Sequence, residues 1–396
     1  MRIAIIVTDL TPPRIGGISK VATSLAEHLV KLDNEVVVYT LERTATLHKD
    51  KAYDVVPVHP RGMIYRDYPV VSFSISAFKK VLEDHRKKPF DVSHAMNFNN
   101  FGLTFYRKRM TREGLAHVST AFETTQMEIR AKWKDFLERP GLHNFAQIVM
   151  ESFLAPWQRS YIGWANAICT EDQETRDELQ KMGIRQNRVT LIPSGVELSD
   201  YIGFTSSPPT EASYWLCPGR VDPRKGNPTL IRAYANLINL GVSLPSLIFV
   251  GGGRGDHLQG MRDLSLELGM NERISFTGKV DDLRPWYQHA KAVLLPSLSE
   301  GIPITLQEAM AFDKKILCSS LKGTYAFASE VPSVSWAEPG SVESWSRALE
   351  ELSASDKGHG QGVGSSFMRD YDWSKVAESY LRLYEQAMSG LKSTVK

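Results

Sequence analysis

The chain has 396 residues, of which 42% are hydrophobic and 23% charged, and its 47 basic side chains nearly balance 45 acidic ones. This length accommodates two ordinary domains, and a net charge of +2 excludes the basic excess typical of nucleic-acid-binding proteins. No apolar run approaches the roughly 20 residues that span a bilayer, and three scattered cysteines argue against a disulfide framework or a zinc site. These features predict a soluble cytoplasmic protein, with residues 1–7 as a first strand rather than a signal peptide.

The first half of the chain alternates short apolar runs with stretches of helical spacing. Strands are predicted at residues 3–7, 36–40, 53–58, 92–94, 117–120, 167–170 and 189–192. Helices are predicted at residues 17–32, 73–86, 127–136, 145–162 and 174–181. This alternation is typical of a parallel sheet that is covered by helices on both faces.

A turn-rich stretch at residues 193–210 interrupts this pattern and is interpreted as a linker. Strands are then predicted at residues 214–216, 247–250, 274–277, 292–295 and 315–318. Helices are predicted at residues 228–240, 257–268, 283–289, 342–352 and 374–387, with a further helix that begins near Pro303. Two successive α/β units predict a ligand site between them, at the carboxyl ends of the strands.

The stretch of residues 297–311 organises the second half. A buried strand ends before it, and a tight loop with Glu300 and Gly301 leads into the helix near Pro303, whose free amides attract anions. Carboxylates beside such a helix start would repel a phosphate, so Glu300 and Glu308 are interpreted as acceptors of hydrogen bonds from sugar and ribose hydroxyls. The alternative is that both acids only complement the helix dipole.

Two further loops carry groups that suit a diphosphate. Arg220 and Lys225 follow the strand at residues 214–216, and such side chains can clamp phosphate oxygens. Gly16 and Gly17 follow the first strand and would offer backbone amides at a helix start. The alternatives are solvated basic side chains in the first loop and an ordinary strand-to-helix turn in the second.

Taken in order, these motifs resemble the retaining glycosyltransferases of family 4, over nearly the whole chain. The most specific segments are Arg220…Lys225-Gly226 and Glu300-Gly-Ile-Pro…Glu308-Ala-Met-Ala311, and the second matches that family's two glutamates separated by seven residues. The resemblance implies the GT-B fold, in which two Rossmann-like parallel α/β domains face each other across a cleft and a C-terminal helix crosses back. It implies an acceptor-binding domain at residues 1–200, a nucleotide-sugar-binding domain at 210–370 and the crossing helix at 371–396.

The resemblance also implies a role for each matching residue. Arg220 and Lys225 would neutralise the donor's diphosphate, and Glu300 would bind hydroxyls of the transferred sugar, so these three are the expected catalytic residues. Glu308 would accept hydrogen bonds from the ribose hydroxyls. The other expected donor-binding residues are Gly16, Gly17, Val280, Gly301, Ile302, Pro303, Ile304 and Thr305.

The implied activity is the transfer of a hexose from a nucleoside diphosphate sugar to a hydroxyl with retention of anomeric configuration, and a UDP-sugar is favoured over GDP- and ADP-sugars. A diphosphate oxygen would help to deprotonate the acceptor, so Glu300 is assigned a positioning role, and neither a metal nor another cofactor is expected. Two alternatives stay open, a nucleotide-sugar epimerase on the same fold and a non-catalytic nucleotide-sugar-binding protein. The glutamate pair argues against the first, and the missing export signal against the second.

The chain departs from this family at several positions. Many relatives carry a histidine after the strand at residues 117–120, where this chain has Phe122 or Glu123, and Glu123 is a candidate for binding a sugar hydroxyl. His94 and Asn97 are candidates for contacting a hydroxyl-rich acceptor, although a lone histidine at such a place is more often structural. Phe312-Asp313 replaces the glycine that usually follows Ala-Met-Ala, which we expect to alter the end of that helix.

A basic and aromatic segment, residues 106–157, has two interpretations. It could dock a peripheral transferase on the inner face of an anionic membrane. The favoured alternative is a solvated helix surface over a buried face, because acids such as Glu128, Asp135 and Glu138 interrupt the positive charge. The acceptor, whether a saccharide, a lipid-linked group or a small molecule, is not specified by the sequence.

Overall fold

The computed structural model describes residues 1–11, 17–46, 48, 51–60, 69–127, 129–130, 133, 142–253, 255–355 and 362–395. The chain divides into two compact units. Unit 1 comprises Met1–Ser194 and Trp373–Lys396, and unit 2 comprises Gly195–Asp372. The C-terminal helix therefore belongs to the same unit as the N-terminal half of the chain.

Unit 1 is built on a seven-stranded parallel sheet with the order β3-β2-β1-β4-β5-β6-β7. Its five inner strands are almost entirely buried, as expected when helices cover both faces of a parallel sheet, whereas the edge strands β3 and β7 are partly exposed. The strand order reverses direction between β1 and β4, and such a switch point is where ligands bind in open α/β sheets. The strands are β1 Arg2–Ile6, β2 Glu35–Leu41, β3 Asp54–Val58, β4 Val92–Met96, β5 Ala116–Ala121, β6 Ala167–Thr170 and β7 Val189–Leu191.

Helices cover the two faces of this sheet. In the first of them, Val21, Leu25 and Leu29 recur at helical spacing and are buried in the core. The C-terminal helix packs against that helix and against the sheet, and it buries Tyr380 and Tyr384. The helices of the N-terminal half are α1 Gly17–Lys31, α2 Glu42–Ala45, α3 Pro69–Lys87, α4 Leu103–Glu113, α5 Leu142–Gly163 and α6 Gln173–Lys181.

Unit 2 is built on a six-stranded parallel sheet with the order β10-β9-β8-β11-β12-β13, and its strand order reverses between β8 and β11. The strands are β8 Tyr214–Pro218, β9 Ser246–Val250, β10 Ile274–Gly278, β11 Ala292–Leu295, β12 Lys315–Ser319 and β13 Val334–Ala337. The helices are α7 Asn227–Asn239, α8 Gly255–Glu267, α9 Arg284–His289, α10 Ile304–Ala311, α11 Lys322–Ala328, α12 Val342–Ala354 and α13 Val363–Met368, and α14 Trp373–Val395 completes unit 1.

The expected α/β alternation in two successive units is confirmed. The structure adds elements that the apolar pattern did not predict, namely α2, α4, α11, α13 and β13. The predicted helix at residues 127–136 lies largely outside the described residues. None of the helices in the described ranges combines the length and hydrophobicity needed to cross a membrane.

The stretch at residues 193–210 is not a detached linker, because most of it packs into unit 2. Val196 pairs with Asp372 as a short parallel bridge, and the Leu198 amide donates to the Asp372 carboxylate at 3.1 Å. Leu198 and Tyr201 are buried in the unit 2 core. The turn-forming residues thus indicate where the chain changes direction, and the buried side chains between them anchor this segment to unit 2.

Candidate functional site

The loops that follow β8 and β11 meet at the switch point of the unit 2 sheet. They enclose a small cavity that is lined by Gly219, Lys225, Ser297 and Thr305, among others. The cavity lies at the carboxyl ends of both strands, where ligands bind in this type of sheet. The segments that carry the sequence-predicted donor residues Arg220, Lys225, Glu300 and Thr305 therefore converge in one place within unit 2.

Glycines allow these loops to approach each other closely. Gly226 has a φ of 62°, and a Cβ atom there would lie 2.0 Å from the carbonyl oxygen of Pro296. Gly251 has a φ of 148°, and a Cβ atom there would lie 2.0 Å from the carbonyl oxygen of Gly219. Only glycine fits at such contacts, so the glycines fix the spacing between the strand ends that surround the cavity.

Lys225 and Glu300 form an ion pair beside this cavity. The second carboxylate oxygen of Glu300 accepts a hydrogen bond from the Ser297 hydroxyl at 2.7 Å. The side chains of Lys225 and Glu300 are 20% and 21% exposed, so both groups remain accessible to a ligand. Arg220 also lines the cavity, but its side chain is 63% exposed and lies 3.7 Å from Asp222.

The first turn of α10 presents backbone amides at the same edge. Pro303 is the N-cap residue of α10; its backbone is extended and its side chain caps no amide. The helix therefore begins at Ile304, one residue later than it would if the proline occupied the first helical position. The structure describes no hydrogen bond that is donated by the amides of Ile304 or Thr305, as expected for the first turn of a helix. The carbonyl oxygen of Gly301 accepts from the Thr324 hydroxyl at 2.7 Å, which fixes the loop before the helix.

Glu308, one turn into α10, is held by two tyrosines. The Tyr201 hydroxyl donates to Oε1 at 3.2 Å and the Tyr287 hydroxyl donates to Oε2 at 2.9 Å. The Glu308 residue is only 7% exposed. Burial raises the pKa of both tyrosines, and the negative charge of Glu308 raises it further, so both hydroxyls stay protonated donors. Sequence reasoning missed Tyr201, since it lies in the stretch that was interpreted as a linker.

The other predicted donor-binding residues lie in different parts of the structure. Val280 follows β10 and packs, half buried, against the unit 2 core. Ile302 is buried in the loop before α10. Gly17 is exposed at the start of α1 in unit 1, and Gly16 lies outside the described residues.

Phe312 and Asp313 show how α10 ends without the expected glycine. Asp313 adopts the left-handed conformation with a φ of 51°, which glycine or an Asn/Asp side chain tolerates best. Its carboxylate accepts from the Ser365 amide at 2.8 Å and from the Ser365 hydroxyl at 2.7 Å. The Phe312 ring stacks on Tyr287 at a centroid distance of 5.9 Å and meets Tyr201 edge-on at 5.2 Å.

The contact predicted between His94 and an acceptor is wrong. His94 is 0% exposed, and its ring nitrogens are hydrogen-bonded to the Tyr384 hydroxyl at 2.9 Å and to Thr120 Oγ1 at 2.6 Å. Burial lowers the pKa of His94 to about 3, so the ring is neutral at physiological pH. The residue therefore ties β4 and β5 to α14 within unit 1.

Asn97 is also largely buried, and its side-chain carbonyl accepts from the Phe122 amide at 2.7 Å. Its φ of 47° shows that it also shapes the turn after β4. Phe122 belongs to the unit 1 core, whereas Glu123 is half buried. Of the two candidates for the position of the missing histidine, Glu123 is thus the one with polar atoms near the surface, and its contact with a sugar stays a prediction.

A second acid in unit 1 was missed from the sequence. Glu171 directly follows β6, and burial raises its pKa to about 8, assisted by the negative charges of Asp172 and Glu123. Hydrogen bonds from Ser194 oppose this shift. The sequence signal that could have identified Glu171 is an acidic residue directly after a short buried strand. Within the described ranges, no group of three or more His, Cys, Asp or Glu side chains could hold a metal ion.

Two family profiles match the chain in succession. One, described as "Glycosyltransferase Family 4", matches residues 15–200, and one described as "Glycosyl transferases group 1" matches residues 203–359. Together they account for most of both units. A curated relative, the D-inositol 3-phosphate glycosyltransferase of Streptomyces bingchenggensis, is 24% identical over 410 residues, which cover 95% of this chain and 86% of that protein.

Solved structures share the fold. Sucrose-phosphate synthase from Thermosynechococcus elongatus matches with a TM-score of 0.76 at 18% identity, over 98% of this chain and 99% of that chain. Anabaena HepE, solved in complex with UDP, matches with a TM-score of 0.69 at 15% identity, over 96% of this chain and 99% of that chain.

Proposed function

Because the chain belongs to the group 1 glycosyltransferases of family 4 and has their GT-B fold, we propose that it transfers a hexose from UDP-sugar to a hydroxyl. The observation that carries this proposal is the Lys225–Glu300 ion pair, which lies beside the amides of α10 at the switch point of unit 2. A cation, a carboxylate and free amides in one place suit a donor that carries both a diphosphate and a hydroxyl-rich sugar. A simple anion, by contrast, carries no sugar hydroxyl that could donate a hydrogen bond to this carboxylate.

Each residue has a role in this reaction. Lys225 and Arg220 neutralise the charge that develops on the departing diphosphate, and the amides of Ile304 and Thr305 donate to its oxygens. Glu300 accepts from hydroxyls of the transferred sugar and fixes its orientation. Glu308 accepts from the ribose hydroxyls of the nucleotide.

We further propose that the reaction retains anomeric configuration and needs no metal. The Glu300 carboxylate is held by Lys225 and Ser297, so it is a poor nucleophile and is better suited to accepting hydrogen bonds. A diphosphate oxygen then takes the proton of the acceptor hydroxyl while that hydroxyl attacks from the leaving-group side. Two basic side chains and the start of a helix supply the positive charge that a metal would otherwise provide.

Uracil is the base that we propose for the donor, because one structural neighbour, Anabaena HepE, was solved in complex with UDP.

On the acceptor side, α4 exposes Phe105, Lys108, Arg109 and Arg112 at helical spacing along one face. Such a face suits contact with an anionic lipid surface. A cytoplasmic location at the inner face of the membrane stays a prediction. The acceptor that we propose is a hydroxyl of a saccharide, a lipid-linked group or a small molecule.

The experiment is a thermal-shift panel of UDP, GDP, ADP and NAD, each with and without Mg²⁺, on the wild type and on Lys225→Ala. A ligand that binds only the folded state raises the melting temperature by mass action. We expect UDP to raise it without Mg²⁺, and Lys225→Ala to lose most of that shift. Lys291→Ala is the control, since it removes an exposed lysine from the same unit.

Glu300→Gln separates binding from turnover in the same protein. This variant should retain the UDP shift but lose about a hundredfold or more in transfer rate, as when one preorganised polar group is removed from an active site. Glu272→Gln, an exposed substitution in the same unit, should leave the rate unchanged. A panel in which no nucleoside diphosphate stabilises the wild type, or only NAD does, overturns the proposed function.

A further inference from the structure

Glu308 is bonded on both carboxylate oxygens by side chains that are distant in sequence. Tyr201 reaches Oε1 from the segment before β8, and Tyr287 reaches Oε2 from α9. A carboxylate can accept about four hydrogen bonds through its two oxygens, and the two phenol donors fix its plane by bonding one oxygen each. The orientation of Glu308 is thus set by two elements outside its own helix.

Phe312 holds both tyrosines in place from the end of α10. Its ring lies nearly parallel to that of Tyr287, at an interplanar angle of 21°, and almost perpendicular to that of Tyr201, at 82°. Offset-stacked and edge-to-face pairs of this kind stabilise specific ring orientations. We call Tyr201, Tyr287 and Phe312 the aromatic bracket of Glu308.

The bracket is preorganised because its members have little freedom to move. Tyr287 is completely buried and Tyr201 nearly so. The turn after Phe312 is closed by the two hydrogen bonds between Asp313 and Ser365. A hydroxyl on a buried, packed ring keeps its position when the ligand arrives, which reduces the entropy that binding must overcome.

We infer that Tyr201 and Tyr287 are positioning residues, which hold the Glu308 carboxylate in the orientation that accepts both hydroxyls of the donor's ribose. This inference rests on the proposed function, since it requires that Glu308 binds a ribose. The tyrosines themselves are not assigned a contact with the substrate. They act through Glu308 and favour a ligand with two vicinal hydroxyls.

The test measures affinity for two ligands by calorimetry. The first is the nucleoside diphosphate that stabilises the protein in the panel above, expected to be UDP, and the second is its 2′,3′-dideoxy analogue. Wild-type protein should bind the analogue more weakly. Tyr201→Phe and Tyr287→Phe should each weaken the natural ligand by roughly three- to tenfold, the range for one hydrogen bond, and leave affinity for the analogue unchanged.

Tyr234→Phe is the matched control. Tyr234 is a buried tyrosine of the same unit whose hydroxyl donates to the Pro245 carbonyl at 2.7 Å, and it packs in a different core cluster from Tyr201 and Tyr287. It should change the melting temperature without changing the ratio of the two affinities. In turnover, the bracket variants should raise the donor KM and leave kcat nearly unchanged, because ribose binding is the same in the ground and transition states.

The outcomes separate this inference from the proposed function. If the wild type binds the nucleotide and its dideoxy analogue differently but both bracket variants preserve that ratio, the positioning role is wrong and the proposed function stands. If both ligands weaken equally in the variants, the tyrosines have only a structural role. If no nucleoside diphosphate binds the wild type, both proposals fail together.

Discussion

The two units have the same kind of sheet, but they use polar side chains near the strand ends in opposite ways. In unit 2, the loops after β8 and β11 leave a cavity, and the charged groups beside it, Lys225 and Glu300, stay partly exposed. In unit 1, the polar side chains of β4, β5 and β6 bond one another beneath α14. Thr120 Oγ1, for example, is bonded to both His94 and Cys169, at 2.6 Å and 2.8 Å.

The difference shows why the presence of polar residues on neighbouring strands is a poor guide to a site. What distinguishes the two regions is whether the backbone leaves space for a ligand. Glycines at the loops of unit 2 bring the strand ends together without filling the space between them. In unit 1, Tyr380 and Tyr384 of α14 are buried, and the Tyr384 hydroxyl is hydrogen-bonded to His94, as buried polar groups require.

The largest expected effect comes from adding a side chain at Gly226, where two loops of unit 2 are in close contact. Gly226→Ala would place a methyl group against the Pro296 carbonyl and would also strain a positive φ. We expect a loss of roughly 3 kcal/mol or more in the free energy of unfolding, from overpacking and backbone strain combined. Denaturant titration measures this loss, and nucleotide binding should fall with it because Lys225 is the preceding residue.

Gly241→Ala is the matched control for this substitution. Gly241 has a φ of 84°, but a Cβ atom there meets nothing within 4 Å. Its cost should therefore be only about 1 kcal/mol, the price of a left-handed conformation. If both variants lose the same stability, close approach of the loops is not what shapes the unit 2 site.

The sequence predicted those parts of the fold and site that depend on local pattern. Strand β11 was predicted with its observed bounds, because a strand buried on both faces gives an uninterrupted apolar run. Helix α4 was missed because only Leu103 and Met110 are buried on it, which leaves no apolar periodicity to read. The residues Lys225 and Glu300 were both predicted, but their ion pair joins positions 75 residues apart and depends on how the loops meet.

Long-range packing also explains the errors at polar residues. His94 lies near a strand end, as a ligand-binding residue would, and only the tyrosines of α14, 290 residues later, show that it is buried. Tyr201 lies in a turn-rich stretch, and its hydrogen-bond partner Glu308 is 107 residues away in the chain. Sequence pattern identifies such residues as polar or aromatic, and the tertiary contacts decide what they do.

An intermediate effect is expected from His94→Leu, which tests whether unit 1 uses its polar network for stability. The substitution removes the hydrogen bonds between His94 and the hydroxyls of Tyr384 and Thr120, so each of these buried hydroxyls loses one partner. We expect a loss of roughly 2 to 4 kcal/mol in unfolding free energy, with the nucleotide affinity of the folded protein unchanged. His59→Leu, at an exposed histidine of the same unit, is the control.

Stability and kinetics together decide the outcome for His94. An unchanged melting temperature combined with a raised KM for the acceptor would mean that His94 reaches a ligand after all. The contrast between the two units would then disappear.

The smallest expected effect concerns Glu171, which directly follows β6 in unit 1. Burial raises its pKa from 4.5 to about 8, so the folded state binds a proton between these values that the unfolded state has lost. Its contribution to stability is therefore complete below pH 4.5 and declines as the pH rises towards 8. Glu171→Gln mimics the protonated form, and at pH 8 it should be more stable than the wild type by roughly 1 to 3 kcal/mol.

The measurement is the difference in unfolding free energy between Glu171→Gln and the wild type from pH 5 to pH 9, which cancels the titration of all other groups. This difference should grow with pH and level off above pH 8. Glu351→Gln, at an exposed glutamate of α12, is the control substitution. A flat profile for Glu171→Gln would mean that the carboxyl is solvated and ionised in the folded state. Unit 1 would then have a solvent-accessible acidic group after β6. In that case both units, and not unit 2 alone, would present an accessible charged group at a strand end.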